Sequence, residues 1–384
     1  MEINLEERKV VTDKSFEYIF SVWKFLGFYK DDSYSFLQKV HVAFIISCVN
    51  GITILSFIVQ LFFVEDLKQL LNILPMNVTL VSCMVKFIIF LDKRRELIGI
   101  HHLIAKLDSR QLTSEEIESL ENLNKFCKKI FFITFVLFEG MVHSAAVNAA
   151  FSHRQTLLFD VWMPYDYHNP ASVYWATFIV QFGFFITMAL ENLTNDLSGP
   201  LYFIMLNRHL EIVLDRIARI GWDKGSRTQE ENYQDFINCI EDHRTVLSIF
   251  DILQNTISHT LFVQFVTTGV LLSMEALLYL LYPPNPTELA IIVSYVLDIT
   301  LEILPCCYYC NNFMAITDRT VTAIFSSNFM EQSLKFRKTA IIFMQMTQKS
   351  HVVVAGKVFP VTLATFMSVM KVAYSLLTVA TRLR

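Results

Sequence analysis

Charged side chains lie within stretches of this sequence that are otherwise apolar, and they are the first candidates for chemistry. They are Lys86, Glu139, Glu191, Glu275, Asp298, Glu302, Lys357 and Lys371. Charges in such a setting rarely face lipid, and they usually pair with one another or mark a functional site. Asp298 and Glu302 are four residues apart and therefore share one face of a helix. We expect them to form a buried ion pair with Lys86 or Lys371, and we do not expect a metal site.

The last apolar stretch carries a stripe of small and mostly polar residues. With helical periodicity, one face holds Thr365, Ser368, Val372, Ser375, Val379 and Arg382. A second face carries bulky residues such as Phe366 and Met370. A membrane helix with such a stripe either packs closely on another helix or faces water. The stripe alone favours a packing seam, and a pore lining is the alternative.

The composition indicates a protein that crosses a membrane several times. Of 384 residues, 53% are hydrophobic and 18% are charged, against about 25% charged residues in soluble domains. The seven Cys show no disulfide framework, and the charged first residues do not resemble a cleavable signal peptide. The sequence has no P-loop, nucleophile elbow, HExxH motif or dinucleotide fingerprint. We therefore expect no enzymatic activity, no cofactor and no nucleic-acid partner.

Seven apolar stretches are long enough to cross the hydrocarbon core as helices, which takes about 20 residues each. They cover residues 40–64, 69–91, 130–151, 171–193, 257–282, 288–310 and 351–381. Of the 32 Lys and Arg residues, 25 lie in the tail and loops of one side and four on the other. Because basic residues stay cytoplasmic, we expect the N-terminus inside and the C-terminus outside. The predicted fold is an all-α membrane protein with seven transmembrane helices.

The cytoplasmic loops have helical periodicity of their own. Residues 205–220 repeat apolar side chains on one face, at Leu206, Leu210, Val213, Leu214, Ile217 and Ile220. Residues 236–253 and 331–347 show the same pattern. Residues 205–256 and 311–350 are therefore expected to form cytosolic anchor helices, with 1–39 a charged cytoplasmic segment and 40–384 one membrane domain. Span four is expected to continue into the cytosol, turn near Gly221, and return as the start of span five.

Several sequence motifs resemble those of the insect odorant receptor family. The run LLFDVWMPYDYHNP (157–170) resembles its second outer loop, whose aromatic residues could also form a lid. The final third carries CYYCNNFMAITDRTVTAIFSSNF (307–329), LKFRKTAIIFMQMTQKS (334–350) and VVVAGKVFPVTLATFMSVMKVAYSLLTVATRLR (352–384). Phe329 follows Asn328 where the family usually has Trp. The long second intracellular loop of the family's co-receptor is missing, so the resemblance is to a ligand-tuned subunit.

The resemblance implies an odorant-gated, non-selective cation channel in the plasma membrane of olfactory sensory neurons. Such subunits assemble with the odorant receptor co-receptor (Orco) into a heterotetramer, and their last helices line a shared pore. The family's hydrophobic gate falls on Val379 and Leu383, beside Arg382, and Val379 already belongs to the stripe described above. Ser375 and Val372 continue that pore-lining face.

The same resemblance places the odorant in the outer half of the bundle, where the ligand would be a small, mostly apolar volatile. Candidate contacts are Met76, Thr79 and Leu80 on span two, His143, Ala146, Val147 and Ala150 on span three, Tyr174, Phe178 and Gln181 on span four, and Tyr295 and Ile299 on span six. Each of these residues could equally be part of helix packing.

Two other classes of protein remain open at this point. A gustatory-type receptor channel would act as a homotetramer and give currents without a co-receptor. A secondary transporter is the weaker alternative, because Pro75, Pro200 and Pro305 do not fall at corresponding positions of two halves.

Overall fold

Long helices form nearly all of the described chain. A computed structural model describes residues 11–28, 34–151, 156–159, 161–168, 170–223, 227–282 and 286–382. Its α-helices are α1 Glu17–Phe25, α2 Phe36–Phe44, α3 Thr53–Gln60, α4 Leu67–Asp92, α5 Arg94–Asp108, α6 Ser114–Ala150, α7 Ala171–Arg219, α8 Gln229–Leu281, α9 Pro286–Asp318, α10 Thr320–Ser326, α11 Leu334–Met346 and α12 Leu363–Arg382. A π-helical segment, Ile45–Ile52, joins α2 to α3, and short 3-10 segments cover Thr12–Phe16, Leu61–Phe63 and Phe329–Glu331. Strands β1 Val354–Ala355 and β2 Phe359–Pro360 form an antiparallel hairpin.

Several of these helices are suited to a membrane. Among the described residues, Phe36–Phe63, α4, α6, α7 and α8 are long and apolar enough to span one. α9 and α12 occupy the positions of the sixth and seventh predicted spans, and only part of their side chains is described. The prediction of a predominantly helical membrane protein is therefore confirmed.

Two helices extend far beyond the length that a membrane requires. α7 has 49 residues and α8 has 53, against about 20 for one crossing. α7 ends at Arg219, and Gly221 follows with φ +82°, a conformation that favours glycine. Thr228 then caps α8, accepting from the Glu231 N–H while the Glu231 carboxylate accepts from the Thr228 N–H. α7 thus continues past the predicted fourth span, turns near Gly221, and is followed by α8, which leads into the predicted fifth span.

The three amphipathic segments that the sequence predicts to be cytosolic bury the faces that their periodicity predicts. Leu206, Leu210, Val213 and Ile217 of α7 are fully buried. In the facing part of α8, Phe236 stacks on Phe336 of α11, with ring centroids 4.5 Å apart. These contacts make one continuous apolar core from the ends of several helices.

The N-terminal segment is more than the charged tail that its sequence suggests. Phe16, Ile19 and Trp23 are almost fully buried against the cytosolic parts of α5, α6 and α7. Thr12 donates its N–H and hydroxyl to the carboxylate of Asp108, at 2.7 and 2.5 Å. Asp13 pairs with His101 of α5. The aromatic residues between the charges drive this docking, because they bury large apolar surfaces.

The last helix begins at Leu363, and the prediction of one helix over 351–381 is wrong for its first twelve residues. Those residues form the β1–β2 hairpin, whose turn places Gly356 and Lys357 at φ +55° and +61°. Gln254 and Ser258 of α8 hold the hairpin: their side chains donate to the Val354 carbonyl at 2.8 and 2.7 Å. The left-handed turn interrupts helical geometry, so the apolar pattern before Leu363 belongs to a packed hairpin.

Gly356 provides a test of that hairpin. A Cβ at this position would lie 2.7 Å from the Phe262 ring and would also force a side chain into a left-handed conformation. We expect Gly356→Ala to destabilise the protein by about 1–3 kcal/mol, seen as a lower melting temperature in detergent. Gly269→Ala is the matched control, because it lies in α8 with no neighbouring atom within 4 Å. Equal melting temperatures for the two variants would show that the hairpin does not need this turn.

A buried histidine makes the cytosolic core sensitive to acid. Arg110 donates to Nδ1 of His209 at 3.1 Å, and the His209 side chain is fully buried. Burial, together with the nearby Arg110 charge, lowers the pKa of His209 to about 3. The unfolded chain takes up this proton below about pH 6.5, whereas the folded chain does not. The contribution of neutral His209 to stability is therefore fully present above about pH 6.5 and is lost progressively as the pH falls towards 3.

The expected size of this effect is measurable. When the pH falls from 7 to 5, the free energy of unfolding should decrease by about 2 kcal/mol because of His209. The melting temperature in detergent should fall with it. His209→Asn should flatten that pH dependence, whatever it does to stability at pH 7. His102→Asn, at an exposed position of the neighbouring α5, should leave the slope unchanged. A slope that is identical in all three proteins would rule out His209 as the sensitive group.

Candidate functional site

A cavity of about 630 Å³ lies between α4, α6, α7, α8 and α9. We call it the central cavity. Its lining runs from Lys68 and Tyr282 at one end to Lys86 and Glu302 at the other. Sites for small molecules typically measure about 300–1,000 Å³. The bundle therefore has room for one small molecule within its membrane part.

Most of the wall of the central cavity is apolar. It includes Leu71, Met76 and Leu80 of α4, Phe138, Met141 and Val142 of α6, Phe185 and Met188 of α7, and Leu271 and Leu278 of α8. Phe159, from the loop before α7, packs on Phe185 with ring centroids 4.2 Å apart. Walls of this kind favour a hydrophobic molecule, because binding removes apolar surface from water.

The floor of the cavity is a polar layer centred on Lys86. The Lys86 Nζ donates to Asp196 at 2.6 Å, to Gln264 at 2.6 Å and to Asn192 at 3.1 Å. Only 3% of the Lys86 side chain and 8% of the Asp196 side chain are exposed. Since an ammonium has three hydrogens, all the donors of Lys86 are in use. The layer ties α4 to α7 and α8.

Glu302 brings α9 into the same layer. Asn192 donates to one oxygen of the Glu302 carboxylate at 3.0 Å, and Gln264 donates to the other at 2.7 Å. The expected direct pairing of Asp298 and Glu302 with Lys86 is wrong, because two amide side chains lie between Lys86 and Glu302. Lys371 is exposed. The direct partner of Lys86 is Asp196, which the sequence analysis missed because the predicted fourth span ended at residue 193.

A further polar contact links the first span to this region. In the π-helical segment, the Asn50 side chain donates to the Ile45 carbonyl at 3.2 Å and to Glu191 at 2.8 Å. Asn195, one turn along α7, donates to the Cys83 carbonyl of α4 at 3.3 Å. π-Helical turns often occur at functional sites, and this one places Asn50 against α7. In the part of the chain that the structure describes, no cluster of His, Cys, Asp or Glu suits a metal ion.

The residues predicted on spans two and six lie at the central cavity. Met76, Thr79 and Leu80 of α4 and Ile299 of α9 all contribute to its lining. The side chain of Tyr295, predicted on the same face as Ile299, lies outside the described residues. Their contact with a ligand stays a prediction.

The residues predicted on span three do not line the central cavity. His143, Val147 and Ala150 are exposed on the outside of the bundle, and Ala146 is buried in an apolar cluster that also contains residues of α7. Phe138, Met141, Val142 and Ala145 form the lining instead. The predicted stripe therefore lies on a different face of α6 from the cavity.

The residues predicted on span four hold a loop. Gln181 accepts from the Leu158 N–H at 2.9 Å and donates to the Phe159 carbonyl at 3.1 Å. The Tyr174 hydroxyl donates to the Thr156 carbonyl at 3.0 Å. Phe178 is buried in the same cluster. These residues position Phe159 in the cavity wall, so the loop before α7 contributes to the cavity through the Phe159 ring.

The last helix presents part of its predicted stripe to the outside. Val372 is 60% exposed, and Ser375 and Ser368 are exposed as well. Phe366 and Met370, on the second face, pack against the core. The side chains of Val379 and Arg382, and Leu383 as a whole, lie outside the described residues. The stripe is therefore available to water or to another subunit, and both interpretations remain open.

Comparison with known proteins decides the family. The family model described as 7tm Odorant receptor matches residues 66–374, which include the helices of the central cavity. The chain belongs to this odorant receptor family. Members of the family form ligand-gated cation channels in insects, and they are not enzymes.

Individual relatives match the sequence of this odorant receptor over nearly its full length. It is 27% identical to Odorant receptor 33b of Drosophila melanogaster over 383 residues, covering 100% of both chains. It is 28% identical to Odorant receptor 33a, covering 98% of this chain and 99% of the relative. The insect olfactory receptor OR5 from Machilis hrabei, solved in complex with eugenol, has the same fold. The two structures superpose with a TM-score of 0.79 at 16% sequence identity, and the match covers 97% of this chain and 100% of the other.

Removing the charge of Lys86 should damage this receptor more than removing other charges. Lys86→Met leaves Asp196 buried without its partner, and breaking a buried pair in this way costs about 3–5 kcal/mol. We expect a lower melting temperature in detergent and less protein at the cell surface. The double variant Lys86→Met with Asp196→Asn should recover part of the loss, because neither charge remains.

Lys371→Met is the matched control, since Lys371 lies on a helix of the membrane part but is exposed. It should melt close to the unchanged protein. If Lys86→Met also melts there, the polar layer does not stabilise the bundle.

Proposed function

We propose that this odorant receptor is a ligand-tuned subunit that binds a small, mostly apolar volatile in the central cavity and opens a cation pore. The observation that carries the proposal is the cavity itself: about 630 Å³, walled by apolar side chains within the membrane part of the bundle. Eugenol, bound to the Machilis hrabei receptor of the same fold, is a small and mostly apolar molecule.

The proposed pore is lined by α12 together with the corresponding helices of other subunits. Val372 and Ser375 support this, because they are exposed on the described part of the helix. Val379 and Leu383 would form the gate, with Arg382 beside it at the outer mouth. A ring of apolar side chains can close a pore by excluding water, and opening would widen that ring.

The proposed assembly is a heterotetramer with the odorant receptor co-receptor, in the plasma membrane of olfactory sensory neurons. The proposed orientation has a cytoplasmic N-terminus, which the distribution of basic residues supports. Exposed apolar residues on the predicted cytosolic side, such as Phe325, Met330 and Met346, support contact with other subunits there. Exposed apolar side chains of this kind commonly mark interfaces.

The experiment that tests the function records volatile-evoked currents from cells that express the chain with and without the co-receptor. We expect currents only with the co-receptor. Robust currents from this chain alone would favour the homotetrameric gustatory-type channel. If no volatile evokes a current in either condition, the proposed function is wrong.

A pair of alanines tests whether the central cavity is the binding site. Ala145→Leu adds bulk to the cavity lining, whereas Ala150→Leu adds the same bulk to the exposed side of α6. Overpacking costs about 1–3 kcal/mol, so Ala145→Leu should raise the half-maximal concentration of an active volatile about tenfold or more. Ala150→Leu should respond as the unchanged receptor does. If Ala150→Leu weakens the response and Ala145→Leu does not, the binding site lies on the face of α6 that the sequence predicted.

A further inference from the structure

Three of the five charged side chains that line the central cavity lie at its floor. Lys86, Asn192, Gln264, Asp298 and Glu302 lie there, and the walls above are largely apolar. Lys68, the other lysine of the lining, begins the same helix 18 residues earlier, which is about 27 Å along the helix axis. A molecule that fills the cavity can therefore place one polar head at the floor and an apolar body against the walls.

The lysine of the floor is not available to an anion. Its three hydrogens go to Asp196, Asn192 and Gln264, and an ammonium has no further donor. Asp196 contacts it at 2.6 Å and offsets its charge. A carboxylate head would have to displace one of these partners and would also approach the other carboxylates of the floor.

The unused capacity of the floor consists mainly of acceptors. Each oxygen of Glu302 accepts one amide hydrogen, and a carboxylate oxygen can accept about two. Asp298 lies one turn away on the same helix face and also lines the cavity, with no hydrogen bond or ion pair to any residue that the structure describes. Glu275, higher in the lining, likewise has no such partner in the described part of the chain.

The unused donors of the floor are fewer. Asn192 and Gln264 each give one amide hydrogen to Glu302, which leaves each with one more. The floor therefore favours a head group that donates over one that only accepts.

We propose that the central cavity selects ligands whose head group donates hydrogen bonds to Glu302 and Asp298: an alcohol, a phenol or a protonated amine. Aldehydes and esters bind more weakly, because they must use the amide hydrogens of Asn192 and Gln264. Carboxylates are disfavoured at the floor, where they would meet Glu302 and Asp298. This inference rests on the proposed function of the cavity as the odorant site.

The test compares head groups on two constant scaffolds. The probes are benzyl alcohol, benzylamine, benzaldehyde and benzoate, with the hexyl alcohol, amine, aldehyde and carboxylate as a second series. Currents are recorded from cells expressing the full chain with the co-receptor. In at least one series, the alcohol and the amine should have half-maximal concentrations about tenfold below that of the aldehyde, as expected for one added hydrogen bond to a buried carboxyl oxygen. The carboxylates should be less potent than the alcohols and amines.

An aldehyde or carboxylate that is as potent as the donor probes overturns the inference. Silence of the alcohols and amines in both series overturns it as well. Currents evoked by any other volatile would then leave the proposed function standing, so the failure of the two proposals can be told apart.

Glu302→Gln identifies the residue responsible. The amide keeps the side-chain volume, replaces one acceptor oxygen by an NH₂ group and so gains a donor for a carbonyl oxygen. The potency ratio of alcohol to aldehyde should fall from about tenfold to near unity. A ratio measured within one variant does not depend on its expression level.

Glu139→Gln is the matched control. Glu139 is a buried carboxyl of α6 that does not belong to the cavity lining, so this variant should keep the tenfold ratio. If Glu302→Gln does not reach the cell surface, Asp298→Asn replaces it, because no hydrogen bond to a described residue depends on Asp298. Asp298→Asn should shift the ratio in the same direction. An unchanged ratio in whichever of the two variants is expressed contradicts the proposal.

Discussion

The burial of the Lys86 ammonium is the constraint on which the membrane part of the bundle depends. A charge of this kind is tolerated away from water only when each of its hydrogens has an acceptor. The acceptors come from α7 and α8, and α9 joins through Glu302. A shift of one residue along any of these helices turns its side chains by about 100° and separates the partners. The layer therefore determines the rotation of four helices at once, and with it the floor of the central cavity.

The cavity can stay open because the helices are held on both sides of it. On one side lie the polar layer and then the core of the predicted cytosolic helices, where the hydrophobic effect packs Leu210 and Val213 to complete burial. At the opposite end, Gln181 and Tyr174 hold the loop that carries Phe159. Within the membrane, apolar side chains gain little from turning inward, since lipid is equally apolar. The cavity between the helices is therefore held open by the packed contacts at its two ends.

On α6 the cavity lies on a different face from the one that the sequence pattern predicts for the ligand. Ala146 and Ala150 suggest room for a ligand, yet Ala146 is buried in an apolar cluster and Ala150 is exposed. The bulkier Phe138 and Met141 line the cavity. Small residues permit close packing and are therefore most useful where two helices touch. Large residues can border an open space because they reach across it.

The sequence by itself determined the helical membrane class, the membership of the odorant receptor family and the buried faces of the cytosolic helices. The opposite faces of these predicted cytosolic helices border water, so polarity distinguishes inside from outside at Leu206 or Phe336. Tertiary structure decided the partner of Lys86, the docking of Phe16 and Trp23, the hairpin before α12 and the side of α6 that meets the cavity. Within lipid both the core and the surroundings are apolar, so periodicity cannot separate them. The pairing of Lys86 with Asp196, 110 positions away, depends on helix rotations that no local pattern contains.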